Sequence, residues 1–315
     1  MAHGFNTEFR SQQEWGWLLA TWLFLSGSGS GLFLLFEVFN LPLAYALLSL
    51  GTIVLGGVVL LLELGSPFRA WRGVSRLATS WLSRGALSVS LFVLFGFLSV
   101  APRLAVFSWL PWREGSVLAS ILEWVAGLCA LMITLYPGFF LAKNRSIPFW
   151  NTVLFPVISF GFALMGACGL ALIAAAFLGG DLRGIELWAA VLIIADFVMV
   201  VVHLTGMGAA GGAAGESVRL LKRPPMRWSF PAGVFLVGMT LPLLIIAWAR
   251  SALPLAGACM LIGCFAFRYC VLKVGVYVPP ALVSGGMDLS KLKRGSADLK
   301  REYAAVSARY AGGRG

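Results

Sequence analysis

The residues able to carry acid–base chemistry in this chain are few, and most interrupt long apolar runs. The stretch LLLELGSPFRAW (residues 60–71) puts a carboxylate, Glu63, at the end of such a run. A turn signal (Gly65, Ser66, Pro67) and a basic aromatic segment (Arg69, Trp71, Arg72) follow at once. Glu37, Glu123, Glu186, Asp196, His203 and Arg268 fall in or at the ends of other apolar runs. In hydrocarbon a charge at mid-helix costs at least about 2.5 kcal/mol, so such groups normally face the protein interior and are paired. Asp196 with Arg268 is the pairing expected. A group at the end of a run, as Glu63 is, can snorkel to water at lower cost.

Other chemistries lack their residues. The five cysteines (Cys129, Cys168, Cys259, Cys264, Cys270) are scattered and form no C-x-x-C, so no iron–sulfur cluster is expected in this chain. They read as small packing residues. Of the two histidines, only His203 approaches membrane depth, which leaves no second imidazole for an intramembrane haem. No metal site is expected. No G-x-x-x-x-G-K-[ST] or G-x-G-x-x-G opens a helix. The glycine-rich GMGAAGGAAGES (206–217) reads as a flexible loop or frayed helix end rather than a phosphate cradle. Nucleic acid is not an expected partner.

The elements that carry these residues follow from composition. Of 315 residues, 59% are hydrophobic and only 12% charged, half the roughly 25% charge of a soluble domain. The mean hydropathy is +0.89. Continuously apolar runs of membrane length satisfy their backbone groups only as helices. The expected fold is an all-α polytopic membrane protein with eight transmembrane helices, at about 17–39, 43–65, 86–108, 117–140, 150–178, 186–206, 230–249 and 253–278. They form one transmembrane domain, 1–278, as two four-helix bundles (halves about 1–145 and 146–278), followed by a basic tail, 279–315. The first run lacks a basic leader and a small-residue cleavage site, and is too long for a signal peptide. Small residues inside it (SGSGSG, 26–31) suit close helix packing; an amphipathic ligand pocket between helices is the functional alternative.

Charge gives a direction. With eight spans, 18 Lys and Arg fall on the side of the termini and 4 on the other. The positive-inside rule then puts both termini, and the tail, in the cytoplasm. Attraction to anionic headgroups, or docking of a partner subunit, are competing uses of the same +11 charge.

Four segments together carry a resemblance. ELGSPFRAWRGVSRLATSWLSRG (63–85) is similar to the loop after helix two in membrane anchor subunits of molybdopterin oxidoreductases, the NrfD/PsrC (polysulfide reductase) family and its dimethyl sulfoxide reductase anchor relatives. LYPGFFLAKNRSIPFWNTVLFPVISFGFALMGA (135–167), LIGCFAFRYCVLKVGVYVP (261–279) and EWGWLLATWLFLSGSGSG (14–31) resemble the same family in the same order. The resemblance implies a quinone-reactive membrane anchor subunit of a molybdenum or tungsten oxidoreductase in a bacterial or archaeal inner membrane. Its substrate would be menaquinone or ubiquinone. Its partners would be an iron–sulfur electron-transfer subunit and a Mo/W-pterin catalytic subunit, so that this chain is not itself catalytic for the Mo/W substrate. Glu63 falls where the dimethyl sulfoxide reductase anchors place a quinol-linked histidine, and Tyr136 on a tyrosine that hydrogen-bonds a quinone carbonyl. Leu19 and Trp22 stand where the family's polysulfide reductase has an asparagine and a histidine that contact quinone.

The chemistry of the residues agrees. Quinone turnover moves two electrons and two protons, and needs carbonyl hydrogen bonds plus a titratable group in touch with water. Glu63 is the candidate for proton exchange. Tyr136, Trp22 and Arg69 are the candidates for holding quinone, although Trp22 also suits an interfacial tryptophan belt and Arg69 also suits docking or topology. His203 reads as a satisfied interface residue or a second relay. The alternative function is a proton-translocating or transporter subunit, with Glu37, Glu123, Glu186 and Asp196 extending a path from Glu63 across the membrane.

Overall fold

A computed structural model describes residues 10–63, 81–180 and 182–278. Among them are eight helices long and apolar enough to span a membrane. The first six spans are α1 (Trp17–Phe39), α2 (Leu43–Glu63), α3 (Trp81–Val100, with a short 3₁₀ extension to Arg103), α4 (Val117–Ala142), α5 (Leu154–Leu178) and α6 (Arg183–Ala210). A short helix α7 (Gly212–Leu221) follows. The seventh span joins α8 (Met226–Phe230), a π-helical segment (Pro231–Thr240) and α9 (Leu241–Trp248); α10 (Leu253–Lys273) is the eighth. A two-residue antiparallel pair, β1 (Arg10–Ser11) with β2 (Val276–Tyr277), ties the chain before α1 to the chain after α10.

Successive spans alternate in direction, so α1 begins and α2 ends at one face of the bundle, here the basic face. Exposed tryptophans mark both ends: Trp17 and Trp228 at the basic face; Trp109, Trp124, Trp188 and Trp248 at the other. Two such girdles are what headgroup regions select, because the indole is apolar with one polar edge.

α1 and α5 are the most buried spans, each 72% inside the protein, and they pack on each other. The serine–glycine run of α1 makes this possible. A Cβ on Gly29 would lie 2.9 Å from Ile53 of α2, and one on Gly31 2.9 Å from Ala167 of α5. Buried hydroxyls bond across the same contacts: Ser30, between the two glycines, lies 2.8 Å from the Thr134 hydroxyl of α4, and Ser49 of α2 donates to the Gly29 carbonyl at 2.7 Å. The stretch is therefore a helix-packing device. α1 contacts α2, α4, α5 and α10, and one contiguous apolar core runs through both halves of the chain.

Three boundaries differ from the sequence expectation. The third span starts five residues earlier and stops at Val100, where Pro102 prevents continuation. GMGAAGGAAGES is mostly helical: α6 runs on to Ala210, and the break comes only at Gly211 and Gly212, whose positive φ (68° and 56°) suits residues without a Cβ. α7 then buries Ala213, Ala214, Ser217, Val218 and Leu221, an apolar stripe that a reading of its glycines and alanines as loop overlooks.

Candidate functional site

Glu63 is the last residue of α2 and is half-buried at the basic face. Arg69 lies outside the described residues. Tyr136 lies near the basic-face end of α4, buried, and its ring covers Gly85 in the first turns of α3. A Cβ at Gly85 would sit 2.6 Å from that ring, so the tyrosine's position depends on a glycine across the helix interface. Trp22 is buried rather than in an interfacial belt. Its ring edge lies against Gly56 of α2, two turns before Glu63, where a Cβ would come within 3.2 Å. Leu19, one turn earlier on α1, is buried as well. Trp22 and Tyr136 thus occupy the same end of α1 and α4, which pack together, while Glu63 ends a helix packed on α1.

An aromatic series continues from Tyr136. Its ring stacks on Phe140 at 5.5 Å, Phe140 meets Trp15 at 5.6 Å, and Trp15 stacks on Trp150 at 5.3 Å with planes 7° apart. Trp150 is fully buried and donates from Nε1 to the Val271 carbonyl of α10 at 3.0 Å. Gln12 completes the clamp. Its side-chain amide donates to the Leu272 and Trp15 carbonyls, its Oε1 accepts from the Trp15 amide, and its backbone N–H donates to Gly275. Nearby Tyr277 lies outside the spans. Burial first, then the Glu14 carboxylate, hold its phenol above the ordinary range, so it stays neutral at physiological pH. Sequence reasoning missed this clamp; its signal was Gln12 and Trp15 just ahead of the first span.

The ionisable residues at depth are arranged differently from the pairing expected. Arg268 sits at the junction of α1, α5 and α10. It donates to the Ser159 hydroxyl and, at 2.8 Å, to the Ser159 carbonyl. Among the described residues no ion pair within 4 Å links it to Asp196. Asp196 is fully buried, and neither carboxylate oxygen has a hydrogen-bond partner. It lies against the backbone of α5 at Gly161, where any Cβ would collide with the carboxylate. Seven residues on, His203 is buried between the rings of Phe149 and Phe155. Its ring bonds the Phe149 backbone through one nitrogen, while Nε2 is buried without a partner. His203 is therefore only half satisfied, unlike the satisfied interface residue expected as one reading of it. Glu186, at the far end of the same helix, pairs with Arg250 at 3.4 Å. Glu186, Asp196 and His203 all belong to the buried face of α6.

At the opposite face Arg103 holds Glu123 at 2.7 Å and Glu114 at 3.3 Å. Glu37 and Glu123 line a pocket of about 460 Å³ together with Leu34, Val38, Trp124 and Leu128. No group of three or more metal-ligating side chains occurs among the described residues.

Residues 6–280 match the family described as "Polysulphide reductase, NrfD". The chain belongs to the NrfD family. It is also 25% identical over 301 residues to "Protein NrfD" of Escherichia coli (strain K12), an alignment covering 83% of this chain and 94% of that protein. The match spans all eight helices, both strands of the clamp and the candidate residues Trp22, Glu63, Arg69 and Tyr136. Membership of the NrfD family and eight apolar helices make this a multi-pass membrane protein, consistent with the membrane subunit of a redox complex.

Proposed function

We propose that this chain exchanges electrons between the quinone pool and a partner iron–sulfur subunit, as the quinone-reactive membrane subunit of a Mo/W oxidoreductase complex. The observation that carries the reading is the half-buried Glu63 closing α2 at the bundle end where Tyr136 and Trp22 are buried on adjacent helices. A quinone head group is apolar enough to enter from the bilayer, yet needs a proton from water for each electron it takes. Glu63, at the end of its apolar run, is the proton exchanger, and the Tyr136 hydroxyl donates to a quinone carbonyl; Arg69, outside the described residues, is the further candidate from the sequence. Electrons arrive from or leave to the partner's clusters, so this chain supplies binding, orientation and protons rather than a redox centre. The positive-inside distribution supports cytoplasmic termini in a bacterial or archaeal inner membrane, with the partners on that face.

The test is Glu63→Gln in the assembled complex. Quinone-linked turnover falls by about 10²-fold, while subunit assembly and reaction with an artificial dye at the catalytic partner are retained. Unchanged quinone turnover overturns the proposal.

A second reading, proton conduction, is favoured by one observation: the unpartnered carboxylate of Asp196 and the unpartnered Nε2 of His203 on the buried face of α6. Buried polar groups without partners cost free energy and mark sites where something else binds or passes. Reconstitution of the isolated chain in liposomes with a pH-sensitive dye separates the two. Rapid proton flux that Asp196→Asn abolishes supports conduction; tight liposomes support the quinone reading alone.

A further inference from the structure

The basic face carries a second feature, remote in sequence from the quinone candidates. Where α6, α7 and the start of the seventh span meet, they enclose a pocket of about 510 Å³. Leu204, Leu221, Phe230 and Phe235 form its apolar walls, and Lys222 and Arg227 stand among its lining residues. We propose that it binds an anionic phospholipid, with the phosphate held by Lys222 and Arg227 and an acyl chain lying along Leu204, Phe230 and Phe235.

Charge bookkeeping singles out those two cations. Residues 207–229 hold four basic side chains and one acid. The acid, Glu216, engages Arg219 at 2.8 Å and Arg223 at 3.4 Å. Lys222 and Arg227 form no ion pair among the described residues, and they are the two that line the pocket. Depth agrees. The Arg227 guanidinium lies over the ring of Trp228, 5.2 Å from its centroid, and Trp228 is exposed at the girdle position where tryptophan meets headgroups. Phosphate level is therefore the level of these cations. Phe235, two turns further along the span, reaches into hydrocarbon, braced by edge contacts of 5.5 Å with Phe197 and Phe230.

The geometry has a local cause. The Gly211–Gly212 break turns the chain out of α6, and α7 returns to pack on it. The wider turns of the π-helical segment hold Phe235 beside α6. An apolar recess opening at the headgroup level is filled by a lipid chain in a bilayer, and two unpaired cations at its rim select a lipid with a net negative charge. Quinone fits poorly: among the described residues no carboxylate or imidazole lines the pocket to exchange its protons. The site stands or falls independently of the chemistry at Glu63.

The test uses the purified complex, exchanged into detergent and titrated with phosphatidylglycerol or phosphatidylcholine. Native mass spectrometry counts the lipids retained. Wild type retains phosphatidylglycerol preferentially. Each basic residue near an anionic headgroup contributes about fivefold, so Lys222→Gln with Arg227→Gln weakens retention by about 25-fold, while Arg219→Gln with Arg223→Gln leaves it unchanged. Leu204→Trp, which fills the apolar half and keeps both cations, also loses the lipid, and decides the matter if the charge variant melts early in phosphatidylcholine. Equal retention by wild type and the Lys222/Arg227 variant overturns the proposal. So does equal weakening in the Arg219/Arg223 control, displacement of the lipid by inorganic phosphate at equal concentration, or occupation by a quinone or a partner polypeptide.

Discussion

At the residue scale, what distinguishes the buried polar groups is whether they have partners. Ser30, Thr134, Ser49, Ser159 and Arg268 do, and they hold helices together. Asp196 and His203 each keep buried atoms without one. Such atoms are costly, and nothing in the spacing of α6 announces which of its polar residues is satisfied. The sequence and its family resemblance named Glu63 and Tyr136 as candidates, but did not say that Tyr136 rests on Gly85 or that Trp22 rests on Gly56. Tyr136→Phe keeps that packing and removes only a hydroxyl. If the hydroxyl donates to a quinone carbonyl, the Michaelis constant for quinone rises about fivefold, the worth of one hydrogen bond of about 1 kcal/mol; steady-state kinetics with a soluble quinol analogue measure it. A Glu63→Gln variant differs in kind, lowering the turnover number instead.

At the element scale, α1 organises the bundle because its small residues admit three neighbours at close range. Gly31→Leu would drive a branched side chain into Ala167 and the α5 backbone, which already stand within 3.2 Å of a hypothetical Cβ. The expected cost is about 1–3 kcal/mol or a failure of α1 and α5 to associate, read as a lower unfolding temperature in detergent. Helix number and order were legible in the sequence because continuous apolarity over about 20 residues admits only one solution in a bilayer. The ends were less so. α6 continues past its apolar run to Ala210, and the seventh span is α-, then π-, then α-helical, with the Leu241 backbone N–H donating to the Leu236 carbonyl five residues back. Both outcomes depend on what packs alongside rather than on local hydropathy.

At the scale of the whole molecule, the clamp at the basic face joins the start of the chain, the loop after α4 and the end of α10. Gln12 and Trp15 precede Trp150 by more than a hundred residues, yet Trp15 stacks on Trp150, and Gln12 and Trp150 donate to the Leu272 and Val271 carbonyls. Trp150→Phe removes the Nε1 donor and leaves the Val271 carbonyl buried without it, a loss of about 1–3 kcal/mol. The expected outcome is faster amide exchange across residues 10–16 with the spans unaffected, visible by hydrogen-exchange mass spectrometry. If the clamp closes the face at which partner subunits dock, the same variant also weakens their retention.

Composition and run length alone determined that this chain is an eight-span helical membrane protein, and its ordered motifs pointed to the NrfD family. Hydrocarbon imposes those features on any sequence, because it offers the backbone no hydrogen bonds. Tertiary structure alone decided which polar groups meet. Arg268 turned to Ser159 instead of Asp196, two cations of four were left to line a recess, and a glycine on one helix made room for a tyrosine on another. Those outcomes rest on side-chain distances of a few ångströms between helices far apart in the chain, which one-dimensional periodicity does not encode.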